Sequence, residues 1–390
     1  MSRRRAAATF VIVFALGAGA LAVARLGRGD GAAPGIQATI AVREALGGAD
    51  AGFARALAPR PFAFPEDHGP HPDFRTEWWY YTGNLQTSAG RHFGFQLTFF
   101  RNALAPLPAG GRDGSASAWA TRQLFLAHFA LTDTAAGRFP TASRLTRQAL
   151  GLAGAQARPF RVWVEDWSVE GEPPDGLPMR LRAAEGDVAI DLLLSAEKRP
   201  VLQGDRGLSR KGPEPGNASY YYSFTRMAAR GTVRQGGESL PVSGQAWMDR
   251  EWSTSALGPD LVGWDWFAFQ LDDGRDLMFY VLRRHDGGAA PFSAGTLVAT
   301  DGQTQRLGVR DVGIEVLLHW TSPRSRVRYP ARWRITVPSA GLRLEVAPRL
   351  ADQELIVGTR YWEGAVAVEG SAGGRPISGK GYVELVGYGE

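Results

Sequence analysis

From Glu77 to the C-terminus the chain repeats one local pattern: a short aromatic and β-branched run, then a turn carrying Gly, Asp or Pro. That composition fits a pleated, half-buried surface, and few windows show the apolar spacing of a helix. The runs fall at 77–85, 93–100, 123–132, 158–170, 179–182, 188–194, 220–226, 231–233 and 240–247. A second series covers 264–271, 277–282, 327–337, 342–346, 360–369 and 379–386, with a shorter run at 355–357. Short strands at this spacing predict an all-β chain whose antiparallel sheets close or nearly close on themselves.

The two series echo each other. Trp78-Trp79 leads through a Gly90-Arg91 turn to a run ending at Phe100-Arg101, and Trp264-Asp265-Trp266 leads through Gly274-Arg275 to Leu282-Arg283. A chain of 390 residues suits two domains. The echo predicts two related β domains of one topology, over 62–257 and 258–390, behind an arm at 25–61. In that arm 40–46 could form a short amphipathic helix, too short to stand alone.

Residues 1–24 read as a signal peptide or membrane anchor. Arg3-Arg4-Arg5 precedes an apolar stretch from Ala6 to Ala24 that ends in a small-x-small pattern. The expected location is outside the cytoplasm, periplasmic or secreted, with anchoring as the alternative to cleavage. With no Cys, disulfides, thiolate metal sites and a Cys nucleophile are excluded. Those three Arg make up more than half of the net charge of +5, and no long run of like charge follows. A nucleic-acid partner has no support.

The densest chemistry lies in His71–Leu85. On a strand, Glu77, Trp79 and Tyr81 share one face, and Trp78, Tyr80 and Thr82 the other. Glu77 is expected to be anchored by Arg75 or Arg101 while Trp79 and Tyr81 wall a pocket of the first barrel. His68 and His71 with Asp67, Asp73 and Glu77 lack the spacing of a metal site and read as loop or lid residues. His128 reads as a hydrogen-bonded core residue, or else as part of a pocket. No metal and no cofactor is called for.

Five motifs in order resemble the AttH-like family, which includes carotenoid 1,2-hydratases and bacterial proteins called predicted secreted hydrolases. They are Phe64-Pro-Glu-Asp-His68, Glu77-Trp-Trp-Tyr-Tyr-Thr-Gly-Asn84, Lys211-Gly-Pro with Tyr220-Tyr-Tyr-Ser223, Trp247-Met-Asp-Arg-Glu-Trp-Ser253, and Gly263-Trp-Asp-Trp266. The resemblance implies two tandem lipocalin-like antiparallel β-barrels, an apolar lipid, terpenoid or polyene-like ligand, and association with membrane transporter components. It leaves open a hydratase or lyase, a hydrolase, and a non-catalytic carrier or accessory protein. The hydratase pattern carries a His where this chain has Arg250, which removes a group able to exchange protons near neutrality.

Asp249, Glu251 and Asp265 are the candidate catalytic groups. Hydrating a double bond without a cofactor needs an acid strong enough to protonate carbon, and burial can raise a carboxyl's pKa into that role. Aromatic faces stabilise the resulting cation by about 0.5–2 kcal/mol each. Tyr221, Trp247, Trp252, Trp264 and Trp266 join Trp79 and Tyr81 as candidate ligand contacts. The competing structural account pairs these carboxylates with Arg250, whose guanidinium suits bidentate binding. No Gly-x-Ser-x-Gly elbow or His-Glu-x-x-His supports a hydrolase.

Overall fold

A computed structural model describes residues 50–107, 122–254, 257–258 and 260–389. The expected signal or anchor and the 40–46 helix lie outside the described residues. The first sheet contains β1 (Thr76–Gln86), β2 (His92–Ala103), β3 (Gln123–Asp133), β4 (Thr141–Arg147), β5 (Ala153–Ala157), β6 (Phe160–Val164) and β7 (Trp167–Gly171). It continues with β8 (Met179–Glu185), β9 (Val188–Ala196), β10 (Val201–Leu202), β11 (Leu208–Arg210), β12 (Ala218–Gln235) and β13 (Glu238–Ser253). The second contains β14 (Leu261–Leu271), β15 (Asp276–Arg284), β16 (Ala294–Val298), β17 (Thr304–Gly308) and β18 (Gly313–Thr321). It ends with β19 (Arg328–Val337), β20 (Leu342–Pro348), β21 (Glu354–Ile356), β22 (Arg360–Ala372) and β23 (Arg375–Val386).

Strand order is β4-β3-β2-β1-β13-β12-β9-β8-β7-β6-β5 in the first sheet and β17-β16-β15-β14-β23-β22-β20-β19-β18 in the second. With β5 and β6 set aside, the two orders match position by position. Even the side strands correspond, with β10 and β11 on β12 and β21 on β22. In chain order, the first strand of each sheet pairs with its last at the middle of the sheet. The first sheet curls into a nearly closed barrel and the second into a half-barrel, an arrangement that matches two tandem lipocalin-like barrels.

The last hairpin of each barrel turns on two glycines. Gly236-Gly237 has φ 60° and 84°, and Gly373-Gly374 has φ 55° and 80°. Two consecutive left-handed residues give the hairpin turn whose twist matches the flanking strands, and Gly adopts them without a Cβ clash. These turns fix the register of β12 with β13 near the turn, and of β22 with β23 throughout.

Several elements differ from the sequence expectation. The runs 220–226 and 231–233 are one long strand, β12, with a register shift between Phe224 and Met227. The runs expected at 158–170 are two strands, and β4, β16, β17 and β18 carry too little apolar alternation to read. In β18 most residues are exposed, so no apolar face marks it.

Each barrel interior is filled by large side chains. Trp79, Tyr81, Phe95 and Phe99 pack in the first, and Phe267, Phe269, Trp333 and Trp362 in the second. A third apolar cluster lies between the barrels, built from outward-facing residues including Tyr80, Tyr221, Trp247, Trp266 and Tyr382. These sheets are therefore buried on both faces where they meet.

Polar groups add to that seam. Asp276, fully buried on β15, accepts hydrogen bonds from Lys198 Nζ at 2.8 Å, Thr225 Oγ1 at 2.9 Å and Arg226 Nε at 2.9 Å, all in the first barrel's part of the chain.

Candidate active site

Strand alternation sorts neighbouring residues onto opposite walls. On β13, Met248, Arg250 and Trp252 turn into the first barrel, whereas Trp247, Asp249 and Glu251 turn toward the second. On β1, Glu77, Trp79 and Tyr81 point inward and Trp78 and Tyr80 outward. On β14, Trp264 and Trp266 face the first barrel. The two outward faces enclose a cavity of about 190 Å³. Trp78, Tyr80 and Phe100 line it from one barrel, and Trp264, Trp266 and Tyr280 from the other.

Asp249 is the most heavily hydrogen-bonded acid on this surface. Its Oδ1 accepts from Ser223 Oγ at 2.5 Å and Trp247 Nε1 at 2.7 Å, and its Oδ2 from Tyr221 OH at 2.5 Å. Trp266 Nε1 donates to the same Tyr221 oxygen at 3.3 Å. Burial pushes the Asp249 pKa up to about 7, against the pull of those three donors. An acid in that range exchanges protons at neutral pH.

Glu251 has a different environment. It accepts from Ser219 Oγ, and Lys211 Nζ stands 3.0 Å away. The Lys211 ammonium also lies 4.1 Å from the centre of the Tyr280 ring. Burial disfavours this cation, but Glu251 and Tyr280 outweigh that cost and raise its pKa. His128 lines the cavity too, and its Nδ1 meets Tyr361 OH at 2.7 Å. Burial lowers its pKa to about 3, so it is neutral, and Nε2 has no hydrogen-bond partner among the described residues.

Glu77 belongs to a separate structure inside the first barrel. Arg101 and Arg250 both donate to its carboxylate, and all three side chains are fully buried. Burial alone would raise its pKa, but the two guanidinium groups hold it well below the usual range. Arg250 also donates to Gly69 O at 2.5 Å and lies 4.0 Å from the Trp79 ring centre. Arg101 reaches Phe74 O at 2.7 Å. Together they hold the 68–74 segment against the barrel.

The chain is matched over residues 55–388 by the model of the AttH-like proteins. It belongs to the AttH-like family. A crystal structure of an AttH-type protein from Nitrosomonas europaea is 36% identical, with a TM-score of 0.75, covering 86% of this chain and 100% of that one. Kievitone hydratase from Nectria haematococca has the same fold at 16% identity, with a TM-score of 0.65, covering 87% of this chain and 97% of that one. No curated protein matches the sequence significantly.

In this AttH-like protein, the expected site residues separate into groups. Asp249, Glu251, Tyr221, Trp264 and Trp266 line the cavity. Trp247 stands behind it, with its ring 6.1 Å from that of Trp266. Trp79, Tyr81 and Trp252 face the first barrel's interior, not the cavity, because they occupy the other phase of their strands. Trp252 stacks on His71 at 3.7 Å. Asp265 likewise points away, toward Arg283 Nε at 2.9 Å and Tyr388 OH at 3.0 Å; burial raises its pKa to about 6. Arg250 pairs with Glu77 and leaves Asp249 and Glu251 to the cavity, while Arg75 pairs with Asp50 instead of Glu77.

The sequence reading did not assign Lys211, Ser219, Tyr80, Tyr280, Tyr361 or Glu384 to the site. Glu384 lines the cavity and accepts from Trp264 Nε1 at 2.7 Å. One signal was available: the Gly373-Gly374 turn fixes which residues of β22 and β23 face each other.

Proposed function

We propose that this AttH-like protein is a cofactor-independent hydratase or related lyase acting on an apolar, oxygen-bearing small molecule held between its barrels. The observation that carries this reading is Asp249: a carboxyl with a pKa of about 7 on the wall of an aromatic cavity. The protonated acid donates to one carbon of a double bond, and water adds to the other. Trp78, Trp264 and Trp266 offer ring faces to positive charge developing on carbon. Lys211 and Ser219 supply the polar end where a substrate oxygen docks and polarises the double bond. The fold shared with a hydratase is in keeping with this chemistry. Export belongs to the same proposal and rests on the Arg3–Arg5 and Ala6–Ala24 pattern.

The test incubates purified protein with a panel of terpenoid, polyene and flavonoid-type alkenes in ¹⁸O-labelled water. The expected result is a product heavier by one labelled water. Asp249→Asn should lower turnover by roughly 10²-fold or more, the usual contribution of a general acid, while quenching of cavity Trp fluorescence still reports binding. Turnover unchanged in Asp249→Asn would remove the acid role. Ligand binding with no turnover across the panel would favour a carrier.

A further inference from the structure

Glu384 does not stand alone. The register of β22 with β23 places Glu363 directly opposite it, and both side chains face the first barrel. Residues opposed in this way have Cβ atoms roughly 5 Å apart. Glu363 is 1% exposed, and neither of its carboxyl oxygens has a hydrogen-bond partner among the described residues. The Tyr80 hydroxyl lies beside it without completing a hydrogen bond of normal geometry. Among the described residues, neither glutamate makes an ion pair.

Three of the protein's other buried acids have cations beside them. Glu77 has two Arg, Asp276 has Lys198 and Arg226, and Glu251 has Lys211. Two buried carboxyls side by side without a cation pay a prohibitive cost to ionise together. Protons do the neutralising instead. Burial and the neighbouring Glu384 push Glu363 well above the carboxylate range. Burial, with Asp249 and Glu251 adding, raises Glu384 to about 7 against the Trp264 hydrogen bond. The charge of Asp249 is thus felt across the cavity.

We propose that Glu363 and Glu384 form an electrostatically coupled carboxyl pair, carrying one proton between them at neutral pH, that acts as the second acid–base centre of the cavity, opposite Asp249. This rests on the hydratase reading above. In the singly protonated pair, the Glu384 carboxylate faces the cavity and Glu363, behind it, holds the proton. Asp249 transfers its proton to one alkene carbon, a water oxygen bonds to the other, and the proton that water loses passes to Glu384. The C=C π bond, the Asp249 O–H bond and one O–H bond of water break, and a C–H bond, a C–O bond and a Glu384 O–H bond form. Asp249 ends ionised and the pair doubly protonated, and transfer of one proton from the pair to Asp249 through solvent resets the site. Glu384 is the catalytic residue of the pair, and Glu363 is a positioning residue that sets its protonation.

Infrared difference spectroscopy of the full chain, titrated with pH in H₂O and D₂O, tests the pair without any ligand. The carbonyl stretch of a protonated carboxylic acid is separate from the carboxylate bands. The expected spectrum keeps a carboxylic-acid band through pH 7 that Glu384→Gln alters. Glu384→Gln should move the Glu363 titration at least one pH unit lower, because its like-charged neighbour is gone. A wild-type spectrum with no carboxylic-acid band at pH 7 overturns the pair whether or not the variants fold. A Glu363 titration that Glu384→Gln leaves in place also overturns it.

Turnover separates this from the broader reading. Absence of hydration across the alkene panel sinks the hydratase reading, and hydration that survives Asp249→Asn removes the acid role of Asp249; either outcome leaves the infrared result standing. Where a probe alkene is hydrated, Glu384→Gln should lower kcat at least tenfold with little change in KM, and Glu363→Gln should shift the pH profile. Full kcat in Glu384→Gln removes the base role.

Discussion

Asp249 couples the site to stability through a single proton. The unfolded chain releases that proton near pH 3.8 and the native chain near 7, so between those values the native state binds more protons. The unfolding free energy therefore falls as pH rises through this window and levels off above about 7, by about 1.4 kcal/mol per unit and about 4 kcal/mol in all. Glu384, raised from 4.5 to about 7, acts in the same direction. Denaturant unfolding between pH 4.5 and 8 should show Asp249→Asn gaining on the wild type as pH rises. A difference between the two that is constant with pH would contradict the raised native pKa. Glu77 has the opposite sign: its pKa is lowered, so its contribution is full above 4.5 and is lost as pH falls through the native value.

At the scale of the strand, β1 and β13 each carry two kinds of chemistry on two faces. Glu77→Gln leaves Arg101 and Arg250 buried with their carboxylate partner gone, and should cost about 3–5 kcal/mol by chemical denaturation at pH 7. The cavity lies on the opposite face, so ligand binding by the folded fraction should be retained. A loss under 1 kcal/mol would mean that water reaches the network. This alternation made much of the fold legible in the sequence. Trp78-Trp79 and Asp249-Arg250-Glu251 could be divided into two faces by eye, and the matching hairpins pointed to matching barrels. Which face carried the site was not legible, because both are apolar and only the packing of barrel on barrel encloses one. That is why Trp252 and Asp265 group in sequence with cavity residues from which they turn away, while Trp79 and Tyr81, expected to wall a pocket of the first barrel, face that barrel's interior and fill it. Glu363 and Glu384 lie 21 positions apart and stand opposite each other only through the register set at Gly373-Gly374.

Across the whole molecule, the barrels are joined by charge as well as by rings. Asp276→Ala leaves Lys198 and Arg226 without their shared partner at the seam and should cost about 3–5 kcal/mol. Because the cavity is made by both barrels, ligand-induced stabilisation should weaken along with it. Calorimetry with and without a bound alkene checks this, and a variant with unchanged melting and an unchanged ligand shift would show that the seam holds without this cluster. The matching strand orders have one further consequence. A single copy of the repeated unit would have a filled interior and a wet outer sheet, with nowhere to shelter an apolar molecule from bulk solvent. Repetition turned two outsides into one inside, so the chamber belongs to neither ancestor-like half and can change its chemistry without disturbing the core of either.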